Sequence, residues 1–515
     1  MTTSTLREGT ATMTHSDDRF EELTIAEFHA ALRRGAVTSV ELTQWYLDRI
    51  ATIDPALRSV VTVSPTALDE ARRADAHHAE TGAFLGPLHG VPVLVKDQAD
   101  TAGLRTTYGS QLFADHVPTE DSTLIARLRA AGAVILAKTA MNDLACGYSS
   151  HSTITGTTAN PYDPARDTGG SSAGTGAAVA ANLGLVGIGE DTGGSIRVPS
   201  SFCNLFGIRV SVGRISRSGL QGLVPNQDTP GPMTRSVGDL ATLLDVLVAH
   251  DDADIETGSV PPRTSELEYR SEVTKAFDWS GVRVGVLESG FDTSGDAEAA
   301  PVTDAVRAAV GRLRELGAAV VAGIEIPDLD RWAEATSLYG TVSRSVLARF
   351  FAEHGAPVSG YDEFLTTGAH NPALSTFRDI ADGSDDPRTD PAYLAARLAQ
   401  TEFRALVLDT MARHGVDLLV YPSVRVLPPR FADMTDEVSV PGFPTNTVIG
   451  SQAVLPAMSV PVGLTDAGLP VGMEVLSRPF EETRLVGFAA AWEAAVRPRV
   501  RPNLCAVLTE GSLVT

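Results

Sequence analysis

Lysine is almost missing from this chain: of 41 basic residues only Lys96, Lys138 and Lys275 are lysine, and the rest are arginine. Where positive charge alone was wanted the chain uses arginine. Each lysine therefore raises the question whether that side chain has to lose a proton, which arginine in a protein does not do. Net basic charge is also lacking. At −23 the chain carries no basic footprint, which argues against nucleic acid and anionic membranes as partners. The cysteines are few, and Cys146, Cys203 and Cys505 show neither a close pair nor a metal-type spacing. That excludes a disulfide framework and fits a reducing, cytoplasmic compartment. A bilayer crossing needs roughly 20 strongly apolar residues, whereas the most apolar stretch, 173–189, is dense in Gly and Ala. The opening M-T-T-S-T-L-R-E-G-T lacks the charged-then-apolar order of a secretory signal. No HExxH or other ligand spacing occurs among the 11 histidines, so neither a metal nor another cofactor is expected.

What is present can fill a large core: 515 residues, 43% of them hydrophobic. Residues 1–18 are polar and aperiodic and read as a disordered lead-in. A single domain is expected over 19–503, with a tail at 504–515. Two helix starts have capping-box form, T-I-A-E at Thr24 and T-S-V-E at Thr38. From residue 88 short apolar runs alternate with helical periods. V-P-V-L-V at 91–95 reads as a buried strand ending at Lys96. A helix over 121–132, the strand A-V-I-L-A, a Gly/Ala-rich helix and the strand L-V-G-I-G follow. Strand, helix and strand recur at 282–287, around Val302 to Leu313, and after Gly317. Later strands are read at 417–422 and 468–476, and a helical insertion at about 330–408. This is α/β layering.

Three features bear on chemistry: Lys96 at a strand end, G-G-S-S-A-G at 169–174, and T-G-G-S at 192–195. Glycine-rich turns ahead of helices often bind phosphate, but neither loop has the Walker or the G-x-G-x-x-G context. G-S-S-A-G also fits the nucleophile elbow, centred on Ser172, of an α/β-hydrolase; that reading leaves T-G-G-S and Lys96 idle. The bare backbone around Ser195 can hold a phosphate or an oxyanion. N–H groups of Thr192, Gly193, Gly194 and Ser195 are free to converge there, and glycine allows the approach without a Cβ. Lys138 reads as structural, Lys275 as a surface charge, and His89 as a loop histidine.

The stretch G-G-S-S-A-G-T-G-A-A-V-A-A-N-L-G-L-V-G-I-G-E-D-T-G-G-S-I-R-V-P-S resembles the amidase signature family, as do P-L-H-G-V-P-V-L-V-K-D and G-L-P-V-G-M-E-V-L-S-R-P-F. The likeness runs from about residue 23 to 495. It implies a mixed central sheet covered by helices on both faces. It also implies a Ser-Ser-Lys triad: Ser195 as nucleophile, Ser171 as bridging serine on a cis peptide bond, and Lys96 as base. Ser172, Asp191 and Arg197 would hold the loops from behind, and Met141, Leu144, Cys146 and Tyr148 would line the acyl pocket. Where the family usually has Thr, Gly and Lys-Pro-Thr, this chain has Glu190, Ala173 and Arg209-Val210-Ser211.

The activity so implied is amidohydrolysis of a C–N amide bond through an acyl-enzyme, without cofactor. The expected substrate is a small uncharged apolar or aryl amide, with water as second reactant, and the expected state is monomer or homodimer. Carbamate (urethane), anilide or ester hydrolysis is the alternative within that chemistry. A second is the amidase subunit of a glutamine-dependent amidotransferase, unproductive without its partner chain and ATP. A third, a binding protein without turnover, sits poorly with intact Lys96, Ser171 and Ser195.

Overall fold

A computed structural model describes residues 18–262, 268–292, 294–434 and 443–504. The lead-in read at 1–18 and the tail read at 504–515 therefore lie almost wholly outside the described residues. Both capping boxes form. Thr24 accepts from the Glu27 N–H and the Glu27 carboxylate accepts from the Thr24 N–H, opening the helix Ile25–Arg33. Thr38 and Glu41 open Ser39–Leu57 in the same way.

Eleven strands make one sheet among the described residues: β1 (Val60–Val63), β2 (Pro92–Lys96), β3 (Val134–Thr139), β4 (Val186–Asp191), β5 (Phe206–Arg209), β6 (Thr229–Thr234), β7 (Arg283–Leu287), β8 (Ala319–Ile324), β9 (Leu418–Pro422), β10 (Ala457–Leu464) and β11 (Pro470–Leu476). Their order is β1-β3-β2-β4-β6-β5-β10-β11-β9-β7-β8. The sheet is mixed, as expected. β3-β2-β4 and β9-β7-β8 are parallel blocks, joined through helical crossovers. The strands between β4 and β9 pair antiparallel. The strands read from sequence correspond to β2, β3, β4, β7, β8, β9 and β11. β1, β5, β6 and β10 escaped that reading. β6 is T-P-G-P-M-T, and proline argues against an interior strand. Here both prolines sit where β6 pairs with β4 alone, since β5 joins only at Met233 and Thr234.

Among the described residues, buried side chains form two apolar clusters. The larger packs the sheet against its helices. The second joins the loop 141–148 to Tyr339–Glu353, Tyr361–Thr367 and Thr376–Ala381, helices of the region read as an insertion, and to Phe443. That cluster roofs the end of the sheet where Lys96 emerges. Among the described residues no helix is long and apolar enough to cross a membrane, and no three His, Cys, Asp or Glu side chains are grouped as a metal ion needs.

Candidate active site

β2 and β4 are parallel neighbours, with Val95 in register with Ile188, and they end side by side at Lys96 and Asp191. Loops that follow parallel strands gather at the strands' carboxyl ends, where open α/β sheets bind ligands. Two short helices begin at this edge: Ala173–Ala180, directly after Ser171 and Ser172, and Arg197–Phe202, directly after T-G-G-S.

Lys96 and Ser171 meet. Lys96 Nζ donates to Ser171 Oγ at 2.7 Å and to the Glu190 carbonyl at 3.4 Å. The Gly170–Ser171 peptide bond is cis. Ser172 ties the two serine loops together: its N–H donates to the Ser195 carbonyl at 3.2 Å and its hydroxyl to the Glu190 carbonyl at 3.2 Å. Ser195 itself is 3% exposed, and its hydroxyl has no hydrogen bond to a described residue. Nor do the N–H groups of Thr192, Gly193, Gly194 and Ser195 donate to any described residue. The carbonyls of this loop point away and are occupied: Gly193 O accepts from Tyr148 Oη at 3.1 Å and Thr447 Oγ1 at 2.8 Å, and Thr192 O from Gln227 Nε2 at 3.1 Å. Gly194 has φ +144°, and a Cβ there would overlap Thr447 Oγ1; at Gly193 it would overlap the hydroxyls of Tyr148 and Tyr339. Both positions accept only glycine in this packing.

Burial sets the protonation of the site. Lys96 lies in the interior, which disfavours its ammonium form and pulls its pKa below the ordinary lysine range, while the Glu190 carboxylate, with Oε2 3.5 Å from Nζ, pulls the other way. Burial pushes Glu190 upward against the opposing pull of Lys96. Asp191 is held at about 2: burial alone would raise it, but the charges of Arg197 and Arg209 and the hydrogen bonds of Arg197 win. Arg197 grips Asp191 through Nε and Nη2, both at 3.0 Å, and reaches Thr447 O, Ser451 Oγ and Glu474.

The remaining sequence-predicted residues divide. Tyr148 reaches the loop 192–195 at the Gly193 carbonyl, with Phe443 5.2 Å from it between ring centroids. Met141, Leu144 and Cys146 are fully buried in the second apolar cluster, and Leu144 and Ala145 both have positive φ, 51° and 61°. Ala173 opens its helix, buried. Lys138 is buried, donates to Ala99 O and Thr106 and faces Asp97 at 3.6 Å; Lys275 is exposed beside Glu272. His89 is a buried loop residue stacked on Phe84 at 4.6 Å.

Sequence reasoning missed Arg209, Glu474, Thr447, Tyr339 and Asp228. Arg209 donates to the Asp191 carbonyl at 2.8 Å and its carboxylate at 3.2 Å. Asp228 accepts from Thr192 Oγ1 at 2.7 Å. A carboxylate inside the apolar run P-V-G-M-E-V-L was a signal for Glu474, because a buried charge demands a partner. Nothing local marks Thr447 or Tyr339.

Comparison with known proteins agrees with this architecture. The amidase family model matches residues 41–486, and the chain belongs to that family, the amidase-signature enzymes. The A-type chain of the glutamyl-tRNA(Gln) amidotransferase of Moorella thermoacetica is 35% identical over 94% of this chain and 98% of that protein. The protein of that name from Salinispora arenicola is also 35% identical, over 94% and 99%. Among solved structures, native peptide amidase from Stenotrophomonas maltophilia superposes with a TM-score of 0.82 at 32% identity, covering 94% of this chain and 99% of that one. The chain is an amidase acting on C–N bonds.

Proposed function

We propose that the chain cleaves its amide bond through an acyl-enzyme on Ser195, with Ser171 and Lys96 carrying the proton. The observation that supports this best is the 2.7 Å hydrogen bond from Lys96 Nζ to Ser171 Oγ, beside a loop whose four N–H groups have no described acceptor. Neutral Lys96 takes the Ser171 proton while Ser171 takes that of Ser195, whose oxygen bonds the carbonyl carbon. The carbonyl oxygen becomes an oxyanion facing the N–H groups of residues 192–195, each such donor contributing about 2.7 to 4 kcal/mol to the transition state. The proton then returns along the same path to the leaving nitrogen, and water releases the acyl group by the reverse sequence. Intact-mass measurement after fluorophosphonate treatment tests this. One adduct is expected on wild type, none on Ser195→Ala, and a strongly reduced amount on Lys96→Ala. An adduct that survives Ser195→Ala but is lost when Ser172 is changed would transfer the nucleophile to the elbow reading.

For the substrate, the aromatic surroundings of Gly193, made by Tyr148, Tyr339 and Phe443, support an uncharged apolar or aryl acyl group. Carbamates, anilides and esters present the same carbonyl to the same loop. The full-length likeness to amidotransferase chains favours a second reading, in which this chain is the amidase component of a glutamine-dependent assembly. Comparison gives that reading more support than the free-standing enzyme. A cytoplasmic setting, and a monomeric or homodimeric state for the free-standing enzyme, belong to the proposal.

A further inference from the structure

Glu190 is the last residue but one of β4, and its side chain is buried against Lys96 with both groups 2% exposed. Oε2 stands 3.5 Å from Lys96 Nζ and accepts no hydrogen bond, while Oε1 takes the Thr192 hydroxyl at 3.3 Å. Among the described residues, Glu190 supplies the carboxylate within ion-pair reach of Lys96. The other acids nearby are committed elsewhere. Asp191 is held by Arg197 and Arg209, and Asp228 accepts the N–H groups of Leu223 and Val224 and the Thr192 hydroxyl. Gln98, Tyr339 and Arg209 also act on Glu190. Glu190 also lines a cavity of about 280 Å³ with Arg217, Gln221, Asp228 and His354.

We propose that Glu190 is a positioning residue for catalysis: its carboxylate is the counter-charge for the ammonium that forms on Lys96 as Ser171 hands over its proton. The inference rests on the Lys96–Ser171–Ser195 reading above. In acylation one proton leaves Ser195 for Ser171, one leaves Ser171 for Lys96, and the resulting ammonium lies against Glu190; on collapse both moves reverse and the leaving nitrogen is protonated. A buried ammonium without a partner is strongly disfavoured, so a carboxylate at this distance makes Lys96 a stronger base than burial alone would leave it, as the carboxylate does for the histidine of a Ser-His-Asp triad.

The sign is defined. Removing the carboxylate lowers the pKa of Lys96, and an opposite charge at this range is worth about 1 to 3 units. With three lysines in the chain, protein grown on lysine carrying 13C at Cε gives a readable NMR titration, the Lys96 signal being the one lost in Lys96→Ala. In Glu190→Gln the Lys96 midpoint is expected to fall by about 1 to 3 units. The acid limb of fluorophosphonate labelling at Ser195 should move down with it, and the plateau rate should drop several-fold because the base is weaker. Glu190→Asp, which keeps the charge at longer reach, should shift the midpoint less, in the same direction. A Lys96 midpoint unchanged or raised in both variants overturns the proposal. Wild-type labelling that does not depend on Ser195 and Lys96 overturns instead the triad reading, and the NMR titration still reports on the pair alone.

Discussion

Gly193 and Gly194 show how the site depends on what is missing from a residue. Each lacks a Cβ, and each is pressed against side chains from distant parts of the chain, Tyr148 and Tyr339 in one case and Thr447 in the other. Gly193→Ala keeps its N–H but sets a methyl against the hydroxyls of Tyr148 and Tyr339. The displaced loop is expected to lower kcat, by up to about 10²- to 10³-fold, the worth of one oxyanion donor, with KM changed far less, as steady-state kinetics on one amide would show. Adding Tyr339→Phe to that variant should restore part of the rate, since it removes an overlapping hydroxyl. Unchanged kcat in Gly193→Ala would mean that the two tyrosines yield to the methyl and the crowding does not set the loop's position. Glycine pairs of this kind were legible in the sequence. Their crowding was not, because Thr447 and Tyr339 lie far away along the chain.

At the scale of elements, Asp191 is a buried hub. It joins the end of β4 to Arg197 on the helix Arg197–Phe202 and to Arg209 at the end of β5, and Arg197 extends the link to Glu474 on β11. Asp191→Asn leaves two buried guanidiniums short of a partner, and breaking a buried pair costs about 3 to 5 kcal/mol. A fall in stability of that order by denaturant titration is expected. The pH dependence follows from the depressed carboxyl, at about 2 in the folded chain against roughly 3.9 when exposed. Its stabilisation is complete above the unfolded value and is lost as pH falls from about 4 through 2. In wild type the denaturation midpoint should drop across that window, and in Asp191→Asn it should drop less. Resemblance alone points to Asp191 and Arg197 in the sequence. Arg209 stands there only as a departure from the family pattern, and its role emerges with β5 seated beside β6.

For the molecule as a whole, the two readings separate on whether the chemistry runs in one chain. If the acyl pocket is apolar and the enzyme free-standing, purified chain hydrolyses an aryl amide or anilide without ATP or partner, and Ser195→Ala does not. If it serves within an amidotransferase, that panel stays flat, and glutamine hydrolysis appears only with partner chains and ATP present. The sequence by itself determined the strand that ends in Lys96, the strand L-V-G-I-G, the capped helices and the α/β layering, while resemblance to the family supplied the mixed sheet. Those signals are local: strand apolarity, capping boxes and glycine spacing are written within a few residues of where they act. Tertiary structure alone decided that Met141, Leu144 and Cys146 fold into an apolar cluster beneath the helices 339–381, that the proline-bearing β6 enters the sheet, and that Glu190 faces Lys96. Each depends on which distant residue lies opposite in space, and that is set by packing, which no local pattern encodes.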